Sequence, residues 1–181
     1  MTIDIKQATI TDAKVLSNIA ELTFALAGPE NADKQEMADY ISEYLNESVF
    51  QDLISNDNIF VGCAQIDSDI AGFFVLRFDS KQPNTEQTDN AAELQRLYVL
   101  PEYHGSNVAK SLVSAAFSAC EKNKTKVIWL CVFSENQRAK KFYAKNGFQE
   151  AGSIDFKMGS EIHLDTVMVA DVDNRQQSLK I

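Results

Sequence analysis

The chain has 181 residues, 45% of them apolar, and a formal net charge of −9. That length carries one sizeable core and is short for two ordinary domains. The acidic balance excludes a general nucleic-acid binder, which needs clustered Lys and Arg, and suits a cationic partner.

Ile3, Ile5 and Ala8 open a first strand. Thr11 or Asp12 then caps a helix with Val15, Leu16, Ile19, Ala20, Thr23 and Phe24 on one face, and Gly28-Pro29 stops it. A second helix starts near Asp33, with Glu36 three residues on as in a capping box. Met37, Tyr40, Ile41, Tyr44 and Leu45 form its apolar stripe, expected in the core. Its other side is acidic: Glu30, Asp33, Glu36, Asp39, Glu43, Glu47 and Asp52 stand against Lys34 alone. A solvated helix face is the simpler meaning of these charges; an acidic wall beside a polyamine is the functional one.

Asn58–Ile66 and Ile70–Phe78 are strands of a hairpin that turns at Asp67-Ser68-Asp69, with Gly62 and Gly72 as candidate bulges. Asp79–Ala91 is a polar surface loop. Leu97–Leu100 is a short apolar strand that stops at Pro101. A polar turn with Gly105 follows, and a helix starts near Ser106 or Asn107, with Leu112, Val113, Ala116, Phe117 and Cys120 inward. Strand, turn and helix N-terminus together make a cradle for a phosphate group. Val127–Phe133 is continuously apolar, as a strand buried on both faces is, and is expected to pair in parallel with Leu97–Leu100. Ser134 caps the next helix, with Gln137 at the capping-box position, and Asn146-Gly147 ends it. Phe148–Phe156 and Ile162–Val169 are the last strands. Residues 3–170 read as a single domain and 171–181 as a polar tail.

Cys63, Cys120 and Cys131 are odd in number and lack CxxC spacing, and the only histidines are His104 and His163. No disulfide framework or metal site is expected. The first residues lack the blocks of a signal peptide, and no apolar run has membrane-spanning length. The expected setting is reducing and cytoplasmic, without a membrane partner.

The stretches LYVLPEYHGSNVAKSLV and NQRAKKFYAKNGF resemble two motifs of GNAT-type N-acetyltransferases. The first is similar to the acetyl-CoA loop, Gln/Arg-x-x-Gly-x-Gly/Ala. The second is similar to the helix Asn-x-x-Ala-x-x-Phe-Tyr-x-x-x-Gly-Phe. The ending FKMGSEIHLDTVMV with IWLCVFSENQRAKKFY resembles, more narrowly, the bacterial Pai-type spermidine/spermine acetyltransferases. The resemblance implies an α/β (α+β) fold: a mixed, mostly antiparallel sheet with a splayed parallel pair and flanking helices. Two loop positions depart from the pattern. His104 stands where Gln or Arg is usual, and Asn107 where Gly is usual, though Asn tolerates φ > 0 better than other non-Gly residues.

The resemblance also implies the site. His104, Gly105, Ser106, Asn107, Val108, Ala109 and Lys110 hold the CoA pyrophosphate. Leu97, Tyr98 and Val99 hold the pantetheine arm through the main chain, the Tyr98 side chain facing away. The Val99 N–H polarises the acetyl carbonyl. Asn136 binds the pantetheine, and small Ala139 lets it approach. Tyr143, one helix face further on, protonates the leaving thiolate. Glu93 shares strand parity with Leu97 and Val99 and is the candidate base; a solvent carboxylate is the plainer alternative. No nucleophile motif such as GxSxG is present, so the amine attacks directly in a ternary complex. The implied protein is an acetyl-CoA-dependent acyltransferase acting on a small cationic amine, a polyamine foremost, with a homodimer as its candidate assembly. Acetylation of a protein N-terminus or lysine, or CoA sensing without turnover, are the alternatives.

Overall fold

The computed structural model describes residues 2–27, 32–83 and 90–173. Seven strands form one sheet in the order β1-β2-β3-β4-β5-β7-β6. They are β1 (Asp4–Gln7), β2 (Ile59–Ile66), β3 (Asp69–Arg77), β4 (Ala91–Val99), β5 (Val127–Phe133), β6 (Gln149–Met158) and β7 (Glu161–Asp171). All neighbours are antiparallel except β4 and β5, which are parallel. The helices are α1 (Ala13–Ala27), α2 (Lys34–Tyr44), α3 (Glu47–Ile54), α4 (Val108–Lys122) and α5 (Gln137–Lys145). This is the mixed sheet with one parallel pair that the resemblance implies.

Two apolar clusters bury opposite faces of β2–β4. Phe74, Leu76 and Leu94 join α4 through Leu112, Val113 and Phe117 on one face. Phe73, Val75 and Val61 join α1 and α3 through Leu16, Ile19 and Phe50 on the other. Each fully buried side chain of this size contributes about 1.5–3 kcal/mol.

Several local starts differ from the sequence expectation. The cap before α1 is Thr9, followed by a 3-10 turn over Ile10–Asp12. The Asp12 carboxylate accepts from the Thr9 N–H at 2.8 Å and from Lys6 Nζ at 3.2 Å. Val15 is exposed rather than inward. Asp33 caps α2 as expected, accepting from the Gln35 and Glu36 N–H groups at 2.8 and 3.0 Å. No residue of α2 is fully buried, so its stripe is a half-covered flank. Leu45 is buried just past its end. The sequence reading missed α3, a short helix with an acidic start. Asn46 Oδ1 caps it from 3.1 Å, and Phe50 and Leu53 anchor it.

Of the two candidate bulge glycines Gly72 borders a bulge and Gly62 does not: Ala64 opposes Gly72 and Gln65 opposes Ile70, which leaves Ala71 of β3 as the extra residue. Register shifts between Ala64 and Gln65 in the β2–β3 ladder and between Val75 and Leu76 in the β3–β4 ladder. The second shift leaves Gln95 of β4 as the extra residue, since Leu76 opposes Leu94 and Val75 opposes Arg96. Gly62 instead lets the Phe74 ring lie over the strand. β4 is longer than expected and starts at Ala91. Its parallel partners on β5 are Ala91, Ala92 and Glu93, opposite Val127, Ile128 and Trp129, and not Leu97–Leu100. The end of the chain is ordered further than expected: Val172 is buried, and its N–H donates to Lys126 O at 2.9 Å. Gly28-Pro29, Glu30, the middle of the 79–91 loop and the tail beyond Asp173 lie outside the described residues.

Gly72 is the tight point behind β4. A Cβ there would lie 2.5 Å from Tyr98 O and 3.1 Å from Val99 Cα, both main chain and unable to swing aside. Gly72→Ala should therefore destabilise the fold by about 1–3 kcal/mol, as overpacking does. Urea unfolding reads this directly; an unchanged midpoint would mean that β4 yields freely.

Candidate active site

After Glu93, β4 and β5 part. The Trp129 indole marks the fork, donating to Ser80 O at 2.9 Å. From there on, one edge of β4 has no strand beside it. The Leu100 N–H donates to Ala71 O on β3 at 2.9 Å, so Leu100 and Tyr98 turn their main-chain groups toward β3. By strand alternation Leu97 and Val99 turn theirs into the gap. Their N–H groups and the Leu97 C=O suit an extended amide chain lying alongside, as the pantetheine arm does.

The gap opens into a cavity of about 500 Å³ lined by Leu97, Tyr98, Val99, His104, Gly105, Asn107, Ala109, Lys110, Asn136, Ala139 and Tyr143. Nearly all of the expected cofactor residues meet there. Ser106 and Val108 do not line it by their side chains. The Ser106 hydroxyl donates to Tyr103 O and fixes the turn, and Val108 is buried in the core. Tyr98 also borders the cavity, and its ring belongs to the apolar cluster on the sheet face opposite α4, as expected. That ring packs edge-on against Phe73 at 5.5 Å, and burial pushes its phenol up to about 12.

The turn before α4 is built for an anion. Gly105 has φ +84° and Asn107 φ +67°, so Asn107 adopts the left-handed backbone the sequence asks of it. The helix proper starts at Val108, one or two residues later than expected. Its first-turn N–H groups have no acceptor within the helix and point toward the cavity with the positive end of the helix dipole. Lys110 and Arg138 add cationic side chains; Arg138 escaped the sequence reading. His104 does not turn to that anion site. Its Nε2 lies 3.1 Å from Val99 O and ties the turn to the strand end.

On α5 the cap is Asn136, not Ser134. Asn136 Oδ1 accepts from the Ala139 N–H at 3.0 Å, which leaves its amide N–H groups for a ligand. Ser134 instead bonds Thr166 side chain to side chain at 3.0 Å. The Tyr143 ring packs against Phe142 and Phe148 at 5.3 and 5.6 Å. Burial holds its phenol well above the ordinary tyrosine value, so it stays protonated at neutral pH.

Glu93 lies elsewhere than parity suggested. The extra residue at Gln95 flips the alternation. Glu93 opposes Arg77 and shares a face with Arg96 and Tyr98, while Leu97 and Val99 share the other with Leu94. Glu93 therefore flanks the gap from the side opposite α4 and α5. Burial raises its carboxyl pKa, against a 3.2 Å hydrogen bond from Ser80 Oγ and the charges of Arg77 and Arg96. On the same side Arg96 donates to Tyr44 O at 3.1 Å and covers the Phe50 ring at 5.5 Å. Cys131 and Asp165 also face this way, and Asp165 gave no sequence signal.

Among the described residues none of the acids from Asp33 to Asp52 lines the cavity. Asp33 caps α2, and Asp39 accepts from Gln35 at 2.8 Å. Glu36 grips the β6–β7 turn, accepting from the Ser160 and Glu161 N–H groups at 3.0 and 3.2 Å. Among the described residues no group of His, Cys, Asp and Glu is arranged to hold a metal. None of their helices is long and apolar enough to cross a membrane.

The sequence model of the acetyltransferase (GNAT) family matches residues 23–148. An uncharacterised N-acetyltransferase of Mycobacterium tuberculosis is 31% identical over 163 residues, spanning 90% of this chain and 99% of that protein. A spermidine N(1)-acetyltransferase of Thermoplasma acidophilum is 28% identical over 165 residues, spanning 87% of this chain and 96% of that one. The crystal structure of a PaiA N-acetyltransferase from Thermoplasma acidophilum in complex with coenzyme A matches with a TM-score of 0.78 at 26% identity, covering 94% and 99% of the two chains.

The left-handed residue at the head of α4 is directly testable. Asn107→Gly keeps that backbone and should preserve or tighten CoA binding. Asn107→Val forces a β-branched residue into it at a cost of about 1–2 kcal/mol or more, and should weaken binding about tenfold. Calorimetric titration with CoA measures both. Strong weakening by Gly would make the Asn side chain itself a ligand.

Proposed function

The chain belongs to the acetyltransferase (GNAT) family, and from that premise we propose that it acetylates a primary amine of a small polycation, spermidine and spermine foremost. The acetyl-CoA-dependent N-acetyltransferase activity is the family's; the polyamine as acceptor is supported by the spermidine acetyltransferase among the relatives. The observation that carries it is the gap beyond Glu93, with a protonated phenol on one side and a carboxylate of raised pKa on the other.

The proposed steps follow from that arrangement. An ammonium acceptor first gives a proton to Glu93, directly or through water. The neutral nitrogen attacks the thioester carbon, and the oxyanion is received by the Val99 N–H, which faces the gap. The tetrahedral centre collapses, the C–S bond breaks, Tyr143 protonates the departing thiolate, and the second proton shed by the nitrogen restores the phenol through solvent. Two carbonyl-flanking groups of opposite task on opposite sides require no covalent enzyme intermediate. In this reading residues 3–170 carry the activity, and the free thiols Cys63, Cys120 and Cys131 suit a cytoplasmic setting.

Mass spectrometry after incubation with acetyl-CoA and spermidine tests the whole reading; acetyl-CoA bound without any acetylated amine would leave a sensor instead. Tyr143→Phe keeps the ring packing and should lower kcat and kcat/KM together by about 10²-fold, the low end for general acid catalysis, because a thiolate already leaves well. Full activity in a folded variant would remove Tyr143 from the mechanism.

Glu93 gives a pH signature. Only the ionised base accepts a proton, so kcat/KM should fall as pH drops through its raised pKa and recover above it. In Glu93→Gln that acid limb should vanish along with most of the rate. An unchanged limb would assign it to another group.

A further inference from the structure

Asp165 lies on β7 opposite Phe133, the last residue of β5, and opposite Ile154 on β6. Its side chain leaves the sheet on the face that carries Trp129 and Cys131, the face that Glu93 also flanks. Cys131 feels both acids: burial first, then the charges of Asp165 and Glu93, push its thiol up to about 12.

The surroundings of Asp165 are aromatic. Phe133 packs edge-on against His163 at 6.1 Å, and Tyr40 of α2 packs edge-on against Phe156 at 5.5 Å. Tyr40 is close enough to Asp165 for the carboxylate to influence its phenol. All of these side chains are partly exposed. His163 is paired with Glu161 at 3.2 Å, and among the described residues no Lys or Arg forms an ion pair with Asp165. Burial lifts the Asp165 carboxyl to about 6, against the pull of His163, so it is mostly ionised at neutral pH. A half-buried carboxylate without a cation is costly, and an alkylammonium relieves that cost through the charge while the rings favour its positive face.

The two ends of this face differ. Arg77 and Arg96 temper Glu93, which favours a neutral amine there. The Asp165 end keeps its negative charge. Glu93 is level with Trp129, and Asp165 with Phe133, four residues along β5, roughly 13 Å at about 3.3 Å per residue. An acceptor that spans both is an extended chain with a second charge.

We propose that Asp165, framed by Tyr40, Phe133 and Phe156, binds the distal ammonium of the acceptor whose other amine reacts beside Glu93. This rests on the amine-acetyltransferase reading and adds the residue that selects a polyamine over a monoamine.

The test uses the full chain loaded with CoA, its Asp165→Asn and Asp165→Glu variants, and Tyr40→Leu. Calorimetry measures spermidine binding without turnover, and steady-state kinetics compares spermidine with butylamine. Asp165→Asn should weaken spermidine binding and raise its KM about 10- to 100-fold, the loss of one charge-assisted contact, leaving the KM for acetyl-CoA in place. The preference for spermidine over butylamine should collapse, Asp165→Glu should restore part of it, and Tyr40→Leu should lower it. Unaltered spermidine binding and preference in Asp165→Asn would overturn the proposal. So would an equal fall in kcat for both amines, which marks a structural role. Asp165-dependent binding in a wild-type protein that transfers no acetyl group would sink the catalytic reading and leave this site standing.

Discussion

β4 cannot stay paired with β5, and the active site exists because of that. The two strands share only three residue pairs, from Ala91 to Glu93, before they separate. A sheet that loses a neighbour exposes a row of N–H and C=O groups, which natural proteins usually cover or pair. Here the row belongs to Leu97 and Val99, and the chain beyond them turns through Pro101–Tyr103 into the N-terminus of α4. One missing ladder thus supplies a docking edge for an amide chain, access to it from both faces of the sheet, and a helix N-terminus at its far end. The other side of β4 is held by β3, where Gly72 admits the Tyr98 carbonyl at a distance that leaves no room for a side chain.

The two sides of the gap are built from different material. The cofactor side rests on α4 and α5, packed into the larger apolar cluster through Val108, Phe117, Phe142 and Tyr143. The other side, where the acceptor is proposed to bind, is partly covered by α2, which has no fully buried residue. Its attachments are mainly polar or aromatic: Glu36 on the β6–β7 turn, the Arg96 bond to Tyr44 O, and Tyr40 between Phe24 and Phe156. Gly159, at φ +58°, brings the turn so close that a side chain there would strike Glu36. Such contacts define a position with little buried area, so this wall is the less rigid of the two.

What the sequence made legible was local. The acetyl-CoA loop and the Asn136–Tyr143 helix are contiguous stretches whose backbone demands follow from residue type, and they meet around one cavity. Even the odd Asn107 was readable, because a left-handed residue narrows the choice of side chain. What failed depended on partners distant in sequence. The parity argument for Glu93 assumes an uninterrupted strand, and the extra residue at Gln95 is visible only once Leu76 and Val75 are seen opposite Leu94 and Arg96. Asp165 sits in an alternating strand like any other exposed acid, and its surroundings come from β5, β6 and a helix more than a hundred residues earlier. The acids of α2 carried a strong compositional signal, but caps and a turn contact account for Asp33 and Glu36.

The bond between His104 and the Val99 carbonyl spans the two ends of the cofactor's path. In the proposed mechanism Val99 polarises the acyl carbonyl, and the turn that carries His104 leads into the helix end proposed to receive the pyrophosphate. Joining them through one ring makes the groove a caliper of nearly fixed jaw width. The pantetheine arm has a set length, so acetyl is the group that comes level with Val99. A longer acyl chain cannot be accommodated by sliding the cofactor back, because its phosphates are already seated. Its extra carbons would project across the gap into the space beside Glu93 and Cys131, where the proposed mechanism puts the acceptor. Donor selectivity in this fold is therefore competition for room between the tail of one substrate and the body of the other.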